Sequence, residues 1–248
     1  MRVLLAGESW VTHSVHVKGI DSFNTSTYTE GADRLREALG QAQIEVEYLP
    51  GHLVPARFPG SASDLAAYGA VILSDIGANS LLLAPATFER SAAAPNRLAA
   101  VEQYVRDGGG LLMIGGYLSF AGIEGKARYH GTPVEAALPV RISAFDDRAE
   151  RPEGVQPVVT QHRHPVLDGV PGDWPALLGY NQVTAKPAAQ VLAYCGTDPL
   201  LTVGSHGVGR SAAFASDCAP HWCPPGFMAW PGYDRLWGNL LRWLAGEQ

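Results

Sequence analysis

The sequence predicts an α/β fold in which a mostly parallel sheet carries helices on its faces. Three observations predict it. Strand-like and helix-like segments alternate through the first half of the chain, the order that builds parallel sheets. Short apolar runs such as Val71-Ile-Leu and Leu111-Leu-Met-Ile lack polar alternation, as strands covered on both faces do. The run Gly108-Gly-Gly-Leu-Leu-Met-Ile-Gly-Gly-Tyr-Leu-Ser-Phe120 stops abruptly at a glycine pair, where positive φ allows a sharp turn and no Cβ blocks a close neighbour.

The elements follow in order. Residues 2–6 form the first strand. A polar loop then carries Glu8, Ser9, Trp10, His13 and His16, and a connection this long inside a compact domain points to function. Thr27-x-x-Glu30 reads as a capping box, and Ala32, Leu35, Ala38 and Leu39 share one helical face before Gly40. Residues 44–49 give a second strand. Val71-Ile-Leu-Ser-Asp75 is the third and ends in an acid, at the end of an open α/β sheet that faces its ligand crevice. Pro95 opens a helix whose stripe of Leu98, Val101, Tyr104 and Val105 ends at Gly108, and residues 111–114 make the fourth strand. These four strands are expected to run parallel.

From about residue 124 the pattern loosens into turns rich in Pro, Gly and charge. Residues 140–144 and 158–159 are candidate strands for a sheet edge or a small antiparallel extension. His164-Pro-Val-Leu-Asp-Gly-Val-Pro171 is punctuated as a surface turn. Residues 191–194, 200–203 and 211–215 read as strands, with a hairpin at 207–210. Residues 233–245 close the chain as a helix with Leu236, Trp237, Leu240, Leu241 and Leu244 facing inward. With no repeat, low-complexity tract or linker, residues 1–248 are expected to form a single domain.

Composition narrows the function. The 248 residues are 46% hydrophobic and 17% charged with a net charge of −6, an ordinary globular balance without the basic face that nucleic-acid binders show. No segment is long and apolar enough for a bilayer, so neither a nucleic-acid nor a membrane partner is expected. Cys195, Cys218 and Cys223 are an odd set, which fits a reducing cytoplasm better than a disulfide framework.

The glycine pair has the shape of a nucleophile elbow without a nucleophile, because Ser or Cys occupies that turn in elbow enzymes. Here Gly115 and Gly116 hold it, and Tyr117 and Ser119 are the first reactive side chains beyond. The chain resembles the class I glutamine amidotransferase-like superfamily, in particular its GATase1-like and trehalose-utilisation (ThuA-like) branches. The motifs that carry the resemblance are Val71-Ile-Leu-Ser-Asp75, Gly108 to Gly116, Thr132-Pro-Val-Glu-Ala-Ala-Leu-Pro139, His164-Pro-Val-Leu-Asp-Gly169 and Gly209-Arg-Ser-Ala-Ala-Phe-Ala-Ser-Asp217. The resemblance implies a flavodoxin-like, doubly wound sheet with a crevice above it. It also implies a Cys at the elbow and a His with an acid after a late strand. The elbow cysteine is missing, so a conventional Cys-dependent glutaminase is not expected.

Asp217 and His221 follow the last core strand, where a carboxylate can orient an imidazole as general base; an Asx-turn at Asp217 is the alternative. Tyr117 is a further catalytic candidate. Glu8, Ser9, Trp10, Asp75, Gly115, Gly116 and Ser119 are candidate ligand contacts, and a helix N-terminus after the glycine turn would seat an anion. Cys218, with His221 as its partner, is a weaker candidate nucleophile for an amidohydrolase activity. His13-x-x-His16 with Asp217, His221 and Cys223 offers zinc-type ligands, but no spacing matches a metal motif; no metal and no cofactor are assigned.

These residues lead to two expectations. One is an enzyme of hydrolase or isomerase type, or a binder, acting on a small polar, carbohydrate-like metabolite in the crevice. The other is a non-catalytic binding or assembly module. Phe227, Trp230 and Tyr233, taken as exposed, would suit a homo-oligomer interface.

Overall fold

A computed structural model of the chain describes residues 1–160 and 163–247. Its strands are β1 (Arg2–Gly7), β2 (Ser9–Lys18), β3 (Asp21–Glu30), β4 (Glu45–Pro50), β5 (Ala70–Ser74), β6 (Gly110–Ile114) and β7 (Val140–Arg141). The second half adds β8 (Arg148–Val155), β9 (Pro157–Val159), β10 (Leu177–Asn181), β11 (Thr184–Ala185), β12 (Gln190–Cys195), β13 (Asp198–His206) and β14 (Gly209–Phe214).

Eight of them form one sheet in the order β4-β1-β5-β6-β14-β13-β12-β9. The run from β4 to β14 is parallel, and β13, β12 and β9 extend it antiparallel. Counted along the chain, the five parallel strands lie in the order 2-1-3-4-5 of flavodoxin-like folds. The four predicted parallel strands are therefore present and β14 adds a fifth; of the residues expected at an edge or antiparallel extension, 158–159 lie in β9 at the sheet's antiparallel edge, whereas 140–141 pair with β11 in a separate two-stranded ladder.

Alternate residues of each central strand feed two cores. Val3, Leu5, Ile72, Leu112 and Phe214 pack on one face with the helices Asp33–Gln41 and Tyr233–Leu244. Leu4, Ala6, Val71, Leu73, Met113 and Ala213 pack on the other with the helix Arg97–Arg106. Burial on both faces is why these strands read as continuous apolar runs.

The structure corrects four expectations. The loop after β1 is a hairpin: β2 and β3 pair antiparallel over ten residues from Ser9↔Glu30 to Lys18↔Asp21, and nearly every residue in it is exposed. Thr27 and Glu30 lie in β3 rather than in a capping box, and the helix starts at Asp33 without a side-chain cap. No helix follows the glycine pair; a turn and a short 3₁₀ segment, Ile123–Gly125, come next. Phe227, Trp230 and Tyr233 are core residues, with Trp230 the most exposed at 7%, because they pack on one another and on Phe214, Trp174 and Trp237.

Candidate functional site

The strand order reverses between β1 and β5, and in open α/β sheets the crevice opens at the carboxyl ends of the strands flanking that point. Glu8 follows β1 and Asp75 follows β5. Both are left-handed, with φ of 48° and 43°, a conformation uncommon for residues other than glycine and concentrated at functional sites. Gly7 makes the first turn feasible: a Cβ there would lie 2.0 Å from the Ser74 carbonyl oxygen, the oxygen that accepts the Glu8 amide at 2.7 Å.

Glu8 is 1% exposed. Its Oε2 accepts the Ser74 hydroxyl at 2.5 Å and lies 3.7 Å from Cys218 Sγ. Asp217 reaches the same place from beyond β14, 5% exposed, its Oδ1 accepting the Ala219 amide at 2.9 Å. Asp75 Oδ1 accepts the Leu118 amide at 2.6 Å. Burial and the neighbouring Asp75 raise the Glu8 pKa to about 7. Burial, then Glu8 and Asp75, push Asp217 up as well, and burial raises Asp75 against the opposing pull of Leu118 and His221. Like charges this close in a low dielectric do not all ionise together, so near neutral pH Glu8 and Asp217 act as one unit that holds a proton.

Glu8, Asp75 and Asp217 open onto a cavity of about 470 Å³ together with Trp10, Tyr117 and His221, and Leu118, Ile123 and Pro220 supply apolar wall. The His221 ring stands edge-on to Tyr117 at 4.3 Å and stacks on Trp222 at 5.3 Å. Glu150 ties this wall together, accepting from Tyr117 Oη at 3.0 Å and from Trp222 Nε1 at 2.9 Å. Trp222 can lie there because residue 179 is glycine: a Cβ would stand 2.2 Å from its Nε1.

Six of the sequence-predicted residues, Glu8, Trp10, Asp75, Tyr117, Asp217 and His221, thus share one cavity, while four brace it from behind. The Ser9 hydroxyl accepts the Gly51 amide. The Ser119 hydroxyl donates to the Ile114 carbonyl and accepts the Asp75 amide. Gly115 and Gly116 give their amides to Phe214, Ser216 and Asn181, so this turn is not the open anion seat expected of it. Nor could either hold a cysteine as built. A Cβ at Gly115 would lie 2.4 Å from the Ala215 carbonyl oxygen, and one at Gly116 would lie 2.7 Å from Asp75 Oδ1.

The expected pairings change too. Asp217 and His221 share no hydrogen bond among the described residues; the carboxylate that senses the imidazole is Asp75, and the partners of Asp217 are acids. The Tyr117 hydroxyl is committed to Glu150, and burial with that neighbour raises its pKa, so it is a donor and not an acid near neutral pH. Cys218 is fully buried, and burial beside Glu8 and Asp217 drives its thiol upward, the opposite of nucleophile activation.

Glu8, Asp217 and Cys218 are the group of metal-type donors among the described residues, within 4.8 Å of one another. His13 and His16 do not join them. They lie on opposite faces of β2, bonded to Ser26 and Thr25. Sequence reading missed Ser74, Glu150 and Asn181, and none of them carried a local signal.

The model of the GATase1-like family, described as "Putative glutamine amidotransferase", matches residues 2–246, and the chain belongs to that family. Among solved structures it is similar to the cytoplasmic protein STM1381 of Salmonella typhimurium LT2, at 47% identity over 98% of this chain and 99% of that one, with a TM-score of 0.95. It is similar to the cytoplasmic protein STM3548 of Salmonella typhimurium at 45% identity, over the same shares and with the same TM-score. A ThuA-like protein of Parabacteroides merdae ATCC 43184 shares the fold, at 13% identity over 100% of this chain and 90% of that one, with a TM-score of 0.59. A search of curated proteins found no match.

Proposed function

We propose that this member of the glutamine amidotransferase-like family binds a small, polar, hydroxyl-rich metabolite in the crevice above the sheet and moves a proton on it without a cysteine nucleophile. The observation that carries this reading is the convergence of Glu8, Asp75 and Asp217 on one cavity, with Glu8 poised near pH 7. An acid whose pKa lies near the working pH is both a competent proton donor and, once ionised, a competent base. Carboxylates orient hydroxyl groups, and the Trp10, Tyr117 and His221 rings offer apolar faces to the carbon skeleton. Proton exchange through the Glu8–Asp217 unit fits an isomerase or hydrolase type of reaction. The non-catalytic reading draws its support from the elbow, whose glycines are packed too tightly for a nucleophile. A cytoplasmic location follows the two Salmonella relatives, and no helix among the described residues is long and apolar enough to cross a membrane.

A thermal-shift screen against sugars, keto-sugars, sugar acids, amino acids and amides tests the proposal. A ligand at 100 times its Kd stabilises the native state by about 2.7 kcal/mol. Polyhydroxylated compounds are expected to raise the melting temperature, and Asp217→Asn is expected to lose that response while folding normally. A response to amides alone, or one untouched in Asp217→Asn, would contradict the reading.

A further inference from the structure

Among the described residues, the β2–β3 hairpin is the one long element without a core behind it. Its ten cross-strand pairs are unbroken, yet both faces stand in water along all of β3 and nearly all of β2. A two-stranded ribbon alone is at best marginally stable in water. Of the thirteen exposed large hydrophobic residues among those described, seven lie on this arm, so the exposure is concentrated and not the usual scatter. Val15 and Val17 are each 70% exposed and Ile20 at the tip is fully so. Pairing register places Val11, Val15, Val17 and Tyr28 on one face, and Trp10 with the stacked His16 and Phe23 on the other.

We propose that this arm is the surface through which two copies of the chain pair, each arm lying antiparallel along the other. Size supports it. The arm carries 22 residues, from 9 to 30, about half of them on each face, and its ten-residue strands span about 33 Å, a length over which two arms can lie along each other. Charge supports a like partner. Lys18 and Asp21 face each other at the tip and Glu30 sits at the root, so the arm has no basic cluster for nucleic acid or an anionic lipid surface. Its valines and hydroxyl side chains suit an identical surface related by two-fold symmetry. Because Trp10 at the arm's root lines the cavity, pairing also fixes one wall of the site.

Sedimentation of the full chain at micromolar concentration tests this proposal. The expected mass is twice that of the 26.4 kDa protomer, and Val15→Asp with Val17→Asp is expected to weaken association at least tenfold and return a single protomer. Wild-type protein that stays at one protomer mass overturns the proposal, including one that instead co-sediments with vesicles of anionic phospholipid. So does a double variant with unchanged mass. Hydrogen exchange on the wild-type chain needs no variant: amides of residues 11–17 must become more protected as concentration rises, and protection independent of concentration overturns it equally.

Discussion

At the carboxyl edge of the sheet, two acids, Glu8 and Asp217, are buried and a third, Asp75, is half-buried among apolar and aromatic walls; on the β2–β3 arm, valines, an isoleucine and a phenylalanine stand in water. Each region inverts the ordinary placement of polar and apolar groups, and the difference lies in what surrounds the inversion. Around the acids, two cores drawn from seven of the eight sheet strands hold the backbone in place, so the desolvation of Glu8 and Asp217 is offset by packing elsewhere. Beyond its root, where Ser9 holds the Gly51 amide and Trp10 lines the cavity, the arm has only its own ladder. A feature held by the whole fold can store an unfavourable charge arrangement, whereas an unsupported one needs a partner to cover it.

The contrast breaks most sharply in the core beneath the site. Trp237 is fully buried against Phe214 and Tyr233, and Trp237→Ala is expected to cost about 3–5 kcal/mol in a denaturant titration; a cost below 1 kcal/mol would show that the body is not the anchor described. Next comes pH. The pKa of Glu8 is raised in the folded state from its ordinary value near 4.5 to about 7, so its favourable contribution is complete below pH 4.5 and is lost as pH climbs through 7. Stability from this group should fall by about 3 kcal/mol across that window, and Glu8→Gln should flatten the dependence. An unchanged pH profile in that variant would exclude Glu8 as its source.

A smaller effect is expected at Asn181, whose amide serves the Gly116 backbone and Asp147 in a buried position. Asn181→Ala should cost about 1–3 kcal/mol by stranding those partners, measured by thermal unfolding. The smallest effect belongs to the arm. Val15→Ala in protein dilute enough to be a single protomer should change stability by less than about 0.5 kcal/mol, and a larger loss would mean that the arm packs on its own body.

The sheet was legible because burial on both faces leaves continuous apolar runs: β1, β5, β6, β12, β13 and β14 all stand where the pattern puts them. The arm was not, since Thr27-x-x-Glu30 fits a capping box as well as it fits a strand, and alternating Ser, Thr and His beside Val reads as a polar loop. β8 was hidden by its charge, Arg148-Ala-Glu-Arg-Pro-Glu-Gly-Val155 having no strand signal beyond its pairing with β10. At the site, strand ends were enough to bring Glu8, Asp75 and Asp217 forward. Asp217 was assigned to the nearby His221 in sequence, while its neighbours in space are acids more than 140 residues away, and only the strand order at the switch point brings them together.

Titration of the side-chain carboxyl carbons of Glu8 and Asp217 by NMR in the intact chain tests the central claim most directly. The account predicts that the Glu8–Asp217 unit releases a proton near pH 7 and that Asp75→Asn, which removes the neighbouring charge, brings the Glu8 transition down. Two independent transitions in the ordinary range of about 3.5–4.5 would contradict it, leaving the cavity without a proton to move.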